Sequence, residues 1–188
     1  MTEENEMFLK AYLSRWLDGF EKTFDYDASY MRHVLRVNPA SLMKFAFGTR
    51  AMDVKAAPPE ALVAAGLVGT MSEDCGPCVQ VGVDIATAQG VDPSILRAII
   101  AGDQEAMGET AALAYRFARA SLARDMETCD PLRDEIVRRW GDKALVAISL
   151  SIVASRMYPT LKYALGYGKA CSKVTVAGET VAPLKLAA

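Results

Sequence analysis

The stretch Pro58-Pro59-Glu60-Ala61-Leu62-Val63-Ala64-Ala65-Gly66-Leu67-Val68-Gly69-Thr70-Met71-Ser72-Glu73-Asp74-Cys75-Gly76-Pro77-Cys78 decides the fold class. The two prolines separate it from what precedes, and a proline in the first turn of a helix gives up an amide hydrogen that has no partner there anyway. From Glu60 to Met71 the residues are apolar or small over a length that suits a helix. Ser72, Glu73 and Asp74 are capping-type residues that suit a helix N-terminus. They introduce a second helix, about Cys75 to Gln89, that carries the cysteine pair and ends at Gly90. A helix thus leads into Cys75 and Cys78, and a helix leads out.

The helical period persists on both sides. Glu3–Phe24 has Met7, Phe8, Tyr12, Leu13, Trp16, Leu17 and Phe20 at helical spacing, an amphipathic helix. Asp27–Val37 follows, with Tyr30, Met31, Val34 and Leu35 on one side and Ser29, Arg32, His33 and Arg36 on the other. Asn38-Pro39 starts a helix to about Asp53, Asp92-Pro93 a short one to Ala101, and Gly102-Asp103 a long one over Gln104–Arg124. Asp130-Pro131 opens Leu132–Trp140, and Gly141-Asp142 opens Lys143–Gly166. The first half of that last helix is apolar on every side, as in a central buried helix, and Pro159 predicts a kink or a split. No strand run is convincing before residue 171. The expected fold is all-α: one domain of about eight helices over 1–170, then a short extended tail or small hairpin over 171–188.

A chain of 188 residues suits one domain, and at that size folding buries roughly 70% of the unfolded surface. The net charge of −2, without a basic block, argues against nucleic acid. The acidic start lacks a signal-peptide pattern, and the apolar runs Ala61–Val68 and Ala144–Ala154 are shorter than the ~20 residues that span a bilayer, so no membrane partner is expected. The expected location is cytoplasmic, where a Cys-x-x-Cys pair reads as redox-active or metal-binding rather than as a structural staple. A single histidine makes a His-built metal site improbable, and no bound cofactor is implied.

Two cysteines three apart at a helix start can close a short disulfide loop. The free N–H groups and partial positive charge of the first turn stabilise a thiolate, the nucleophile of disulfide exchange and of attack on peroxides. Glu73 and Asp74 act in the opposite sense, because negative charge beside Cys75 disfavours its thiolate. Cys129 and Cys171 are single and far apart, more often packing residues than ligands.

Cys75-Gly76-Pro77-Cys78 matches the active-site tetrapeptide of thioredoxins, but the likeness stops there: a helix, not a strand, precedes it, and Asp74 stands where an aromatic residue is expected. The chain more closely resembles the carboxymuconolactone decarboxylase superfamily, in its alkylhydroperoxidase D-like branch. Pro59, the apolar Leu62–Val68, Cys75, Cys78, the helix end at Gly90 and the short helix Pro93–Ile100 follow in the order and spacing of that family. The likeness extends over about Leu42–Gly166. It implies an all-α oligomer (dimer, trimer or hexamer). It implies Cys78 as the attacking cysteine, Cys75 as the resolving one, and an external thiol or lipoyl reductant. Two positions depart from the family pattern. Its histidine, four after the second cysteine, is Gly82 here; its glutamate, twelve before the first, is Val63.

Glu60, one turn before Val63 on the same helix face, is a candidate for a displaced acid/base, and His33 is a second candidate. Tyr115, Arg156 and Tyr158 are polar or amphipathic residues in apolar helices and could line a pocket. The expected function is a thiol-dependent oxidoreductase that reduces alkyl hydroperoxides or disulfides. The alternatives are a catalytically degenerate helical oligomer with a ligand-binding or structural role, and a carboxymuconolactone decarboxylase-type lyase.

Overall fold

Helix α4 (Pro59–Ser72) lies at the centre of the architecture. The structure is a computed structural model and describes residues 3–52, 55–168 and 173–185. Before α4 come α1 (Glu3–Phe24), α2 (Ser29–Val37) and α3 (Pro39–Ala51). After it come α5 (Gly76–Ala88), α6 (Pro93–Ala101), α7 (Gly108–Ala123), α8 (Met126–Trp140) and α9 (Asp142–Ala164), then the strands β1 (Val174–Val176) and β2 (Glu179–Val181). The all-α class holds, with nine helices and one small hairpin among the described residues.

Local chemistry accounts for most boundaries. Pro39, Pro59 and Pro93 each open a helix, and the Asn38 and Asp92 side chains accept the backbone N–H of Ser41 and Ser94. Helix α3 ends at Ala51, and Asp53 lies outside the described residues. Three expectations change. Helix α7 begins at Gly108 rather than Gln104, because Asp103 accepts the N–H groups of Glu105 and Ala106 and holds that segment as a turn. Helix α8 begins at Met126, capped by Asp125 on the Thr128 N–H, so Pro131 lies inside the helix rather than at its start. Helix α9 runs unbroken through Pro159. The Ser155 carbonyl that Pro159 leaves without its backbone donor lies 3.4 Å from the Thr70 hydroxyl, which it shares with the Gly66 carbonyl at 3.1 Å.

Helix α4 packs against α7 on one side and α9 on another. The contact with α9 is close because the facing residues are small. A Cβ on Gly69 would lie 2.9 Å from the Ile152 carbonyl oxygen and would overlap the Ser155 hydroxyl. Ala61, Ala64, Ala65 and Val68 of α4 are fully buried, in one core cluster with Leu96, Ile99 and Ile100 of α6 and Ile148 of α9. Helix α9 itself departs from its expected burial. Ala144, Ala147, Ile148 and Ile152 are buried, but Val146 and Val153 are half-exposed on the opposite side. By length and composition alone α9 could also cross a membrane.

Helices α1–α3 form their own cluster around Leu17, Tyr30, Met31, Leu35 and Leu42. They meet the rest of the protein through side chains, Val81, Tyr158 and Leu161 among them, and the two parts enclose a cavity between them.

Residues 174–181 form a hairpin. Ala177 and Gly178, at φ 49° and 85°, supply the two positive angles of a type I′ turn. The Gln80 amide donates to the Thr175 carbonyl (2.9 Å) and accepts its N–H (2.8 Å), which fastens the hairpin to α5. Cys129 is buried in the core, and Cys171 lies outside the described residues.

Candidate functional site: a dithiol in the wall of an apolar cavity

Cys75 is the N-cap of α5 and Cys78 lies in its first turn, with Cα atoms 5.3 Å apart and the sulfurs joined as a disulfide. Their surroundings differ. Cys75 is fully buried. Cys78 is partly exposed and forms part of the cavity wall. The cavity measures about 900 Å³, within the range of small-molecule sites. Its walls are mainly apolar and aromatic, with Trp16, Phe20, Met43, Phe47 and Ile85 among them. Arg50 and Lys55 are the charged side chains among the described wall residues.

No side chain caps α5. Glu73, expected as a cap, turns instead to α9, where Arg156 binds its carboxylate; the Thr160 hydroxyl lies 3.1 Å from it and donates to the Arg156 carbonyl at 2.6 Å. Its charge is therefore partly neutralised by a guanidinium. Asp74 takes a left-handed backbone, φ 49°, and its carbonyl accepts from the Tyr163 hydroxyl at 2.9 Å. Together these contacts fix the loop between α4 and α5, and so the direction in which the cysteines enter.

The polar neighbour of Cys78 is Tyr26, in the link between α1 and α2. Its Oη lies 3.5 Å from Cys78 Sγ. A disulfide sulfur carries no hydrogen, so the tyrosine donates. Lys162 of α9 donates in turn to Tyr26 Oη at 3.3 Å. The result is a directed chain, from Lys162 Nζ to Tyr26 Oη to Cys78 Sγ. Lys162 is only 3% exposed, and its ammonium lies 4.7 Å from the Tyr26 ring centroid and 5.7 Å from that of Tyr30. Such aromatic faces stabilise a buried cation. Burial pushes the Tyr26 phenol above its ordinary value of 10.0, so the group stays a donor at neutral pH. The same desolvation raises Tyr30 much further.

The link that presents Tyr26 is itself held. Glu21 accepts the Ala28 N–H at 3.1 Å and pairs with Arg32, which also reaches Asp18. The Tyr26 ring packs edge-on against Phe20, with centroids 5.6 Å apart.

The other positions singled out from sequence fall as follows. Val63 and Gly82 both line the cavity. A Cβ on Gly82 would lie 3.0 Å from a Leu67 methyl, so a histidine there would require that leucine to move. Glu60 is in the first turn of α4, outside the set of residues that line the cavity. His33 bonds the Tyr167 hydroxyl through Nδ1 at 3.1 Å and is likewise outside that set. Tyr158 lines the cavity and its hydroxyl meets Thr49 Oγ1 at 2.9 Å, whereas Tyr115 is buried in the core. Among the described residues no three His, Cys, Asp or Glu side chains gather as a metal site.

Sequence reasoning missed Tyr26 and Lys162. For Lys162 a signal existed: Ile148, Ile152, Ser155, Pro159 and Lys162 follow one another at helical spacing, so the lysine continues the inward stripe of α9. Tyr26 has no comparable signal, being one aromatic residue between two aspartates in a short link. No family model, curated protein or solved structure matches the chain.

Proposed function

We propose that the protein is a thiol-dependent oxidoreductase that reduces apolar hydroperoxides, as its resemblance to the alkylhydroperoxidase D-like branch suggests. The observation that carries the reading is the unlike placement of the two cysteines: Cys78 in the wall of an apolar cavity, Cys75 buried behind it. The Cys78 thiolate attacks the terminal oxygen of R–O–O–H, and the O–O bond breaks. The sulfur, oxidised by two electrons, becomes the sulfenic acid. The leaving alkoxide takes up one proton and departs as R–OH. The Cys75 sulfur then attacks the sulfenic sulfur, the disulfide forms, and hydroxide leaves with the Cys75 proton as water. An external dithiol, lipoyl or similar, restores the pair. It attacks Cys78, the accessible sulfur, releases Cys75 as a thiolate, and closes to its own disulfide.

A homo-oligomer in the cytoplasm remains part of this reading. Exposed apolar residues on α1 (Met7, Phe8, Tyr12) and α9 (Val146, Val153) support association of copies. The volume of the cavity also favours a second reading, a ligand-binding protein without turnover. Native-state thiol counting separates the two: reversible formation of the Cys75–Cys78 disulfide favours the enzyme, and inert thiols the binder. The direct test is dithiothreitol-dependent consumption of cumene hydroperoxide. Cys78→Ser is expected to abolish it, and equal rates for wild type and variant would sink the mechanism.

A further inference from the structure

We infer that Tyr26 and Lys162 form the proton-delivery group of this site, with Tyr26 the catalytic donor and Lys162 the residue that positions and recharges it. The inference rests on the peroxidase reading above for its chemistry, but its geometry stands independently. Reduction of a hydroperoxide needs one proton at the leaving oxygen, and Val63 and Gly82, the cavity positions where the resembled family has a glutamate and a histidine, carry no titratable group here. Tyr26 Oη is 3.5 Å from Cys78 Sγ and is itself part of the cavity wall, so a group bound at the sulfur comes within its reach. In the disulfide form its hydrogen points toward the sulfur, which has none to give, and its oxygen accepts from Lys162 at 3.3 Å.

The chain serves both halves of the step. While Cys78 is a thiolate, Tyr26 donates to it and the lysine charge lies one bond behind; both stabilise the anion. When the O–O bond breaks, negative charge moves from sulfur to the leaving oxygen. The Tyr26 proton passes to that oxygen, and a Lys162 proton passes to the phenolate. One bond to hydrogen breaks and one forms at each transfer. Solvent or the incoming dithiol returns the lysine proton during the reductive half-cycle.

A buried lysine is an unusual structural choice. Taking a charge out of water is costly unless partners and hydrogen bonds offset it. Here the lysine lies against two tyrosine faces and donates to the phenol that reaches the cavity sulfur. The groups that face the chain are Tyr30 from α2, Asp27 from the α1–α2 link, Tyr158 from α9 and Cys78 from α5. Of the two carboxylates that precede Cys75 in sequence, Asp74 is exposed and Glu73 is held by Arg156.

The experiment is the pH profile of iodoacetamide alkylation at Cys78 in the reduced full-length protein, read by peptide mass spectrometry. Wild type, Tyr26→Phe and Lys162→Met are compared, with melting temperature and peroxide turnover measured alongside. The inference predicts a wild-type midpoint at least one pH unit below that of either variant. It also predicts about a tenfold slower reaction at pH 7 in both, and turnover reduced at least tenfold. Superimposed profiles for all three proteins would overturn it. If the wild type consumes no peroxide while the profiles still separate, the peroxidase reading fails and the thiol-activating chain stands. If turnover is present and both variants keep it, the proton-delivery role fails and the peroxidase reading stands. Tyr26→Phe removes a single oxygen, so the test survives a Lys162 variant that does not fold.

Discussion

Helix α4 has two unlike sides, and the difference separates what holds the protein together from what the protein does. Toward α7 and α9 its small residues Ala61, Ala64, Ala65 and Val68 are fully buried, and at Gly69 α9 comes so close that no side chain fits. Its Leu62 and Val63 face a cavity of about 900 Å³, which α1–α3, α5 and one edge of α9 (Ser151, Ser155 and Tyr158) also line. A close-packed interior gains dispersion and hydrophobic free energy at every contact, whereas a cavity wall forgoes part of both. Close packing is therefore concentrated on one side and the candidate site on the other.

Substitution by alanine on the two sides breaks or sharpens this contrast. Leu96 is fully buried in the packed body, and Leu96→Ala should lower stability by about 2–5 kcal/mol, because it opens a new void. Leu62 already borders open volume, so Leu62→Ala should lower it by only about 1 kcal/mol, the transfer term alone. Urea midpoints measure both, and equal losses would mean that the cavity is filled or closed in solution. A smaller effect is expected where the two sides meet. Thr70→Val keeps the volume but removes the donor to the Ser155 carbonyl, and should cost about 1 kcal/mol, seen as a melting temperature lower by about 2–4 °C. No change would show that water already satisfies that carbonyl.

Much of the packed side was legible in the sequence and little of the cavity side was. Capping residues and prolines placed α3, α4 and α6 because those signals act within a few residues. Pro131 misled the reading of α8, because Asp125 supplies a stronger start six residues earlier. The apolar run of α9 gave its length but not its exposed face, since Val146 and Val153 differ from Ile148 and Ile152 in position and not in chemistry. The cysteine pair was legible because its spacing is local. Its polar neighbours were not. Tyr26 and Lys162 lie 52 residues before and 84 residues after Cys78, and only the packing of α1–α3 over α9 brings them together.

The mildest prediction concerns the link that presents Tyr26. The Arg32 guanidinium bonded to Glu21 holds that carboxyl below its ordinary 4.5. A depressed value in the folded state means the pair stabilises fully above pH 4.5 and loses its contribution as pH falls through the folded value. Because the pair is partly solvated, its worth is at most about 1 kcal/mol. Melting temperature should be flat from neutral pH to about 5 and then fall, and Glu21→Gln should lower the neutral value slightly while flattening part of that fall. An acid limb unchanged by the substitution would assign it to other carboxylates.

The contrast is sharpest at the dithiol, where one sulfur faces the cavity and the other is sealed in the body. Reduced Cys75→Ser and Cys78→Ser proteins, each treated with one equivalent of cumene hydroperoxide and a sulfenic-acid-trapping dione, test it directly by mass spectrometry. The account predicts a trapped sulfenic acid on Cys78 in the first variant and none on Cys75 in the second. Trapping on Cys75, or equal trapping on both, would contradict it.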